Sequence, residues 1–253
     1  MPVPVMPKIE GQLLEVFSSI QGEGVLVGCR QIFVRMALCN LSCRYCDTPV
    51  SAKESCRIED APGSGNFRDV GNPVSLEVLT AILADWTARS RGLHHSISLT
   101  GGEPLMQSEV LVSWLPVIKR ILPVHLETNG TLPEALEPIL TYLEWISMDI
   151  KLASQTGQET PWKIHEEFLR LARKTCCAVK AVVGENTPVA EIEQAAALMH
   201  RAAPETLLIL QPVTESGRVG ISAPVLLELQ AAAAKIHPMV RVIPQTHHFI
   251  GLP

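Results

Sequence analysis

The sequence predicts an α/β fold built on a parallel sheet, and three observations predict it. Six short apolar, β-branched runs recur along the chain at Ile32–Met36, Ile97–Leu99, Val124–Leu126, Trp145–Ile150, Ala178–Val183 and Leu207–Leu210. Each has the length and composition of a strand covered on both faces. Stretches with helical spacing lie between them, at Leu76–Trp86, Val110–Ile121, Pro133–Leu143, Ile164–Ala172 and Val189–Ala202. Polar and glycine-rich segments follow several strands. Alternating strand and helix implies right-handed crossovers, and these place ligand-binding loops at the carboxyl ends of the strands.

The chain has 253 residues, 47% hydrophobic and 19% charged, enough to close one large core. A single domain over residues 1–253 is expected, with no internal repeat. Residues 49–73, centred on Pro62-Gly63-Ser64-Gly65-Asn66, follow neither period and read as an inserted loop or lid. Polar residues interrupt every apolar stretch before the roughly 18 to 20 residues that a membrane span needs. The amino terminus lacks a basic region followed by an apolar one, so a soluble cytoplasmic protein is expected. A formal charge of −5 offers no broad basic field, which argues against direct nucleic-acid binding and for a small-molecule ligand.

Seven cysteines, three of them packed into eight residues, suit metal ligation in a reducing compartment better than a disulfide framework. The three follow the first predicted strand as Cys39-Asn40-Leu41-Ser42-Cys43-Arg44-Tyr45-Cys46. Three thiolates at C-x3-C-x2-C spacing can cap three irons of a cubane cluster and leave the fourth iron open, whereas a closed zinc site wants four ligands. A zinc site completed by a distant histidine is the structural alternative. The other cysteines, Cys29, Cys56, Cys176 and Cys177, lie outside this spacing and read as structural.

The spacing, with an aromatic residue before its last cysteine, resembles the radical S-adenosylmethionine (SAM) superfamily. That resemblance implies a partial parallel (β/α)6 barrel, a [4Fe-4S] cluster on Cys39, Cys43 and Cys46, and SAM bound at the open iron. Thr100-Gly101-Gly102-Glu103-Pro104 after the second strand resembles the superfamily's glycine-rich SAM motif. Paired glycines let backbone approach a ligand there, and the Glu103 carboxylate can accept from an ammonium. Glu127-Thr128-Asn129-Gly130 and Asp149-Ile150-Lys151 end the next two strands. By residue chemistry alone, both could equally be caps or turns.

Within the superfamily the chain is similar, nearly end to end, to the 7-carboxy-7-deazaguanine synthase family. The matching pieces are Glu15–Gly24, Phe33–Arg35, Cys46–Thr48, Thr100–Pro104, Glu127–Gly130, Leu210–Val213 and Pro244–His247. This similarity implies a pterin substrate, 6-carboxy-5,6,7,8-tetrahydropterin, which is converted to 7-carboxy-7-deazaguanine and ammonia with Mg2+ assisting. It further implies substrate contacts from Ile20, Gln21, Gly22, Arg35, Thr100 and the carboxylate of Pro253, and a magnesium contact from Thr48. SAM contacts are implied at Gly102, Asp149, Ile150 and Lys151. Family members often carry Ser-Pro-Lys at the last three positions, so Asp149-Ile150 departs from the pattern. Arg35 shares a strand face with Phe33 and is directed inward, where either a substrate carboxylate or an internal acidic residue can pair with it. Adjacent His247 and His248 read as structural. No side chain is assigned a catalytic role beyond the cluster and SAM.

An electron donor such as flavodoxin or ferredoxin and a homodimeric assembly are further implications of the resemblance. A glycyl-radical-enzyme activase would share the cluster and SAM loops, but would have no use for Arg35 and Pro253 as carboxylate and pterin contacts. A non-enzymatic, zinc-stabilised interaction module is the reading from a different class.

Overall fold

The computed structural model describes residues 9–46, 50–215 and 217–252. Among them a ten-stranded sheet organises the molecule. Its strands are β1 (Leu13–Ile20), β2 (Arg30–Met36), β3 (Ser55–Glu59), β4 (Phe67–Gly71), β5 (Ser96–Gly101), β6 (Val124–Thr128), β7 (Trp145–Ile150), β8 (Cys176–Val183), β9 (Leu207–Pro212) and β10 (Val240–Val242). The order across the sheet is β10-β9-β8-β7-β6-β5-β2-β1-β3-β4. From β2 through β10 every neighbouring pair is parallel, while β1 runs antiparallel to β2.

Besides a short α-helical turn over Ala153–Thr156, the α-helices among the described residues are α1 (Leu76–Arg89), α2 (Ser108–Ile118), α3 (Pro133–Leu136), α4 (Trp162–Ala172), α5 (Val189–Ala202), α6 (Ala223–Ile236) and α7 (Thr246–Ile250). Six consecutive strand-then-helix units, beginning with β2, β5, β6, β7, β8 and β9, give the expected (β/α)6 arrangement. The strands form because valine, isoleucine and leucine fill both faces: Val179, Ala181 and Val183 in β8 are fully buried, and Ala178 and Val182 nearly so. In α1, Ser75 caps the helix by accepting from Val78 N, and Leu79, Ile82, Leu83 and Trp86 form its buried stripe. The helix expected over residues 133–143 stops at Leu136 and tightens into a 3-10 turn over Glu137–Tyr142. Pro138 at its start has no N–H to continue an α-helical ladder.

Residues 49–73 differ from the expectation. In place of an irregular lid, β3 and β4 form an antiparallel hairpin, and β3 joins the sheet beside β1 with Glu15 opposite Arg57 and Val16 opposite Ile58. Cys56 and Ile58 point into the core and are fully buried, whereas Arg57 between them faces outward. Only two inward side chains alternate there, too short a pattern to register against the surrounding glycine and proline. Buried Glu59 secures the turn by accepting from Gly63 N and Gly65 N, and it also accepts from Ser18 N of β1. Asn72 fastens the hairpin's exit, its amide exchanging two hydrogen bonds with the backbone of Leu13 as a neighbouring strand would.

Candidate active site

The strand ends on one side of the sheet open into a cavity of about 680 Å3. Cys39, Cys43 and Cys46 line it, on the loop that leaves β2. That loop is tied down on all sides. Leu38, in a left-handed conformation (φ 72°), donates from its N to Val50 O and accepts at its O from Glu103 N. Asn40 donates to Thr131 Oγ1 and accepts from Asn129 Nδ2, Gln158 Nε2 donates to Ser42 Oγ, and Arg44 N donates to Thr156 O. Gly102 closes against it so tightly that a Cβ there would lie 2.0 Å from Leu38 O and 3.2 Å from Cys39 Cβ. Gly101, at φ 122°, fits only as glycine beside the backbone of Met36.

The three thiols are in no disulfide, and burial pushes the Cys39 and Cys43 thiols up from their ordinary pKa. Among the described residues no group of three or more His, Cys, Asp or Glu is gathered to hold a single metal ion. Three soft thiolate donors on one loop have the chemistry to cap three irons of a polynuclear cluster. Cys29, Cys56, Cys176 and Cys177 do not line the cavity.

Of the other residues singled out from the sequence, Ile20, Gln21, Gly22, Arg35, Thr100, Gly102, Asp149 and Lys151 also line the cavity. Glu103 and Ile150 do not. Glu103 is fully buried, and its carboxylate accepts from Asn129 N (2.6 Å), Thr128 Oγ1 (2.9 Å) and Leu105 N (3.1 Å), joining the ends of β5 and β6. Burial raises its pKa to about 7 despite those donors. The Ile150 side chain is 1% exposed and packs in the core. Thr48 and Pro253 lie outside the described residues.

Arg35 has the internal acidic partner that was one of the two expectations for it. It faces the cavity, and its Nε donates to Glu15 Oε1 (2.8 Å) while its guanidinium stands over the Phe17 ring. Arg57 of the hairpin approaches the other oxygen of Glu15 at 3.8 Å, so the predicted lid supplies part of the wall. The Gln21 amide is engaged inside the protein, donating to Gln31 Oε1 and Glu127 Oε1 and accepting from Glu23 N. Glu127 also lines the cavity, and among the described residues both of its hydrogen bonds, from Ser98 Oγ (2.5 Å) and Gln21 Nε2 (3.0 Å), fall on Oε1. The strand-end motif Glu127-Thr128-Asn129-Gly130 was the sequence signal for it.

At the end of the adjacent strand β7, Lys151 donates to Asp149 Oδ2 (2.5 Å) and to Tyr45 Oη (3.1 Å), the aromatic residue of the cysteine loop. Lys180, which the sequence reading passed over inside an apolar strand, bonds Glu23 and stands 3.4 Å from Asp149 Oδ1. Burial works against both charges, yet the Lys180 ammonium brings Glu23 down to about 2, and Asp149 and Glu23 hold Lys180 well above the ordinary lysine range. Beneath this wall His165 donates from Nδ1 to Gly130 O and accepts at Nε2 from Lys151 N, a neutral imidazole whose burial lowers its pKa to about 4. Gln211 of β9 adds a further cavity-facing polar group.

A six-unit β/α sheet with three cysteines lining its strand-end cavity defines a radical SAM enzyme, and the family model of the Radical SAM superfamily matches residues 33–205. A 7-carboxy-7-deazaguanine synthase from Geobacter sulfurreducens is 46% identical over 97% of this chain and 99% of its own length. One from Methanothermobacter thermautotrophicus is 35% identical over 95% and 97%. The chain belongs to the 7-carboxy-7-deazaguanine synthase family of radical SAM enzymes. The crystal structure of QueE from Escherichia coli shares the fold, with a TM-score of 0.59, 22% identity and coverage of 94% of this chain and 95% of that one. Streptococcus suis SuiB also shares it, with a TM-score of 0.54, 15% identity and coverage of 84% and 48%. The family implies a [4Fe-4S] cluster and SAM as cofactors. Among the described residues no helix is long and apolar enough to cross a membrane.

Proposed function

We propose that this chain is a ring-contracting carbon–nitrogen lyase that converts 6-carboxy-5,6,7,8-tetrahydropterin to 7-carboxy-7-deazaguanine and ammonia, a step of 7-deazapurine biosynthesis of the queuosine type. The observation that carries the reading is one cavity lined together by three cysteine thiols, a guanidinium and a hydrogen-bonding carboxylate: Cys39, Cys43 and Cys46 with Arg35 and Glu127.

Cys39, Cys43 and Cys46 hold the cluster, which together with SAM supplies a 5′-deoxyadenosyl radical. The chain's own groups bind and orient. Arg35, held through Nε by Glu15, brings a cation to the cavity for the substrate carboxylate. Glu127 Oε2 accepts from the N–H edge of the pterin, and Ile20, Gly22 and Thr100 shape the substrate side of the cavity. Gln21 fixes Glu127 in place. Gly102, Asp149 and Lys151 form the SAM side, with Glu103 and Ile150 acting from behind it as packing and bracing. Thr48 offers a hydroxyl to a Mg2+ at the substrate carboxylate, a hard-oxygen contact suited to that ion, and the Pro253 carboxylate meets the amino edge of the pterin. The enzyme works in the cytoplasm as a homodimer, reduced by a flavodoxin- or ferredoxin-type donor.

Anaerobic turnover tests the reading. Cluster-loaded protein with the carboxypterin, SAM, Mg2+ and a strong reductant is expected to give the deazaguanine product by mass spectrometry, and Cys43→Ala to give none. Formation of 5′-deoxyadenosine without product would retain the radical SAM chemistry and overturn this substrate.

A further inference from the structure

In the cavity wall, four charged side chains alternate in sign across three segments of the chain. Lys151 pairs with Asp149 at the end of β7, Asp149 approaches Lys180 of β8, and Lys180 pairs with Glu23 in the loop that follows β1. All four side chains are only 13 to 17% exposed, and their formal charges cancel. Glu23 carries the connection further, because its Oε1 accepts from Gln245 Nε2 (2.7 Å). Next to Gln245, Thr246 donates through both N and Oγ1 to Gly22 O, and the His247 ring lies where a Cβ on Gly22 would stand. The loop holding Ile20, Gln21 and Gly22 and the segment running to Leu252 are therefore fastened to each other, and Glu23 to Lys180 is the ion pair that fastens both to the sheet.

We propose that Lys180 is a positioning residue for the pterin: by bridging Asp149 and Glu23 it sets the height of the Ile20–Glu23 loop and of the carboxyl-terminal segment over the cavity. This rests on the substrate reading above. Each pair in the ladder makes a separate contribution. Lys151 keeps Asp149 when Lys180 is neutralised, so the SAM side of the wall survives its loss. Glu23 then loses its ammonium partner and is left in a largely buried site with an amide donor from Gln245, and a carboxylate so placed moves toward water and draws the loop with it. Small displacements of positioning groups carry large costs in productive binding.

The test uses cluster-loaded, full-length protein and measures the affinities of the carboxypterin and of SAM separately, together with 5′-deoxyadenosine formed per product. In Lys180→Met the pterin dissociation constant is expected to rise about tenfold or more, while that for SAM changes by less than about twofold. Deoxyadenosine per product should rise as the pterin is held out of place. Lys180→Arg, which restores a cation between the two carboxylates, should recover most of the pterin affinity. Glu23→Gln keeps Lys180 paired with Asp149 and removes only the link to the loop, and the same selective loss is expected of it, which covers the case of a poorly folding Lys180→Met. Equal weakening of both ligands, or an unchanged pterin affinity in Glu23→Gln, would overturn the positioning role. Wild-type protein that binds SAM but not the carboxypterin would overturn the substrate reading, and this inference with it.

Discussion

Two buried titratable residues behind the cavity respond to pH in opposite senses. Glu103 has its carboxyl raised to about 7 by burial, so what it contributes to stability is complete below its ordinary value of 4.5 and declines as pH rises through about 7. His165 is lowered from 6.5 to about 4 by burial, so its contribution is complete above pH 6.5 and is lost as pH falls through about 4. A shift of that size corresponds to about 3 kcal/mol. Because the two slopes overlap, the wild-type profile mixes them, and the difference between wild type and His165→Gln isolates the histidine. Urea unfolding should show that difference shrinking steadily from pH 6.5 to 4, with the variant about 1–3 kcal/mol less stable at pH 7.5 for its imperfect bridge between Gly130 O and Lys151 N. Neither role could be read from the chain. Glu103 stands in a motif whose chemistry suggested an ammonium ligand, and His165 lies inside a helix, facing groups far away in sequence.

The hairpin of β3 and β4 is as much a part of the sheet as the strands that were foreseen. Ile58 is fully buried and paired in register beside Val16. Ile58→Ala is expected to cost about 2–5 kcal/mol in equilibrium unfolding. A segment that served only as a lid would leave stability unchanged. The six strands of the β/α units were all legible, because burial on both faces makes each a continuous apolar run. β1 was not: Glu15, Ser18 and Ser19 interrupt its sequence, yet Ser18 and Ser19 are buried, and Ser18 is bonded to Glu59, His94 and Arg30 from three other segments. Polar residues that are satisfied only by tertiary partners look exposed in a sequence. The same reason hid Lys180, one cation in an apolar strand, whereas the cysteine spacing and the glycine pair announced themselves locally. α6 and the short β10 were also missed; α6 is rich in alanine and leucine on every side, which blurs any stripe.

At the scale of the whole molecule, the site is assembled from both ends of the chain. The loop after β1 and the segment from Gln245 onward close over a cavity whose floor comes from the central strands. Their stability and their function should therefore separate. Phe249 and Ile250 are 59 and 57% exposed, so removing residues 249–253 is expected to move the unfolding midpoint by no more than about 2 °C. Product formation should nevertheless fall at least about tenfold, since Leu252 of the cavity lining goes with them. Differential scanning fluorimetry beside a turnover assay reads both outcomes. The cysteine loop carries a consequence of another kind. Protein groups from the ends of β5, β6 and β7 grip it residue by residue, through Leu38, Asn40, Ser42, Arg44 and the close approach of Gly102. Small zinc domains fold only as they take up their ion; the contacts that grip this loop come from protein groups. Exchange of one thiol, as in Cys43→Ala, is accordingly expected to leave the unfolding midpoint close to that of the wild type while ending turnover.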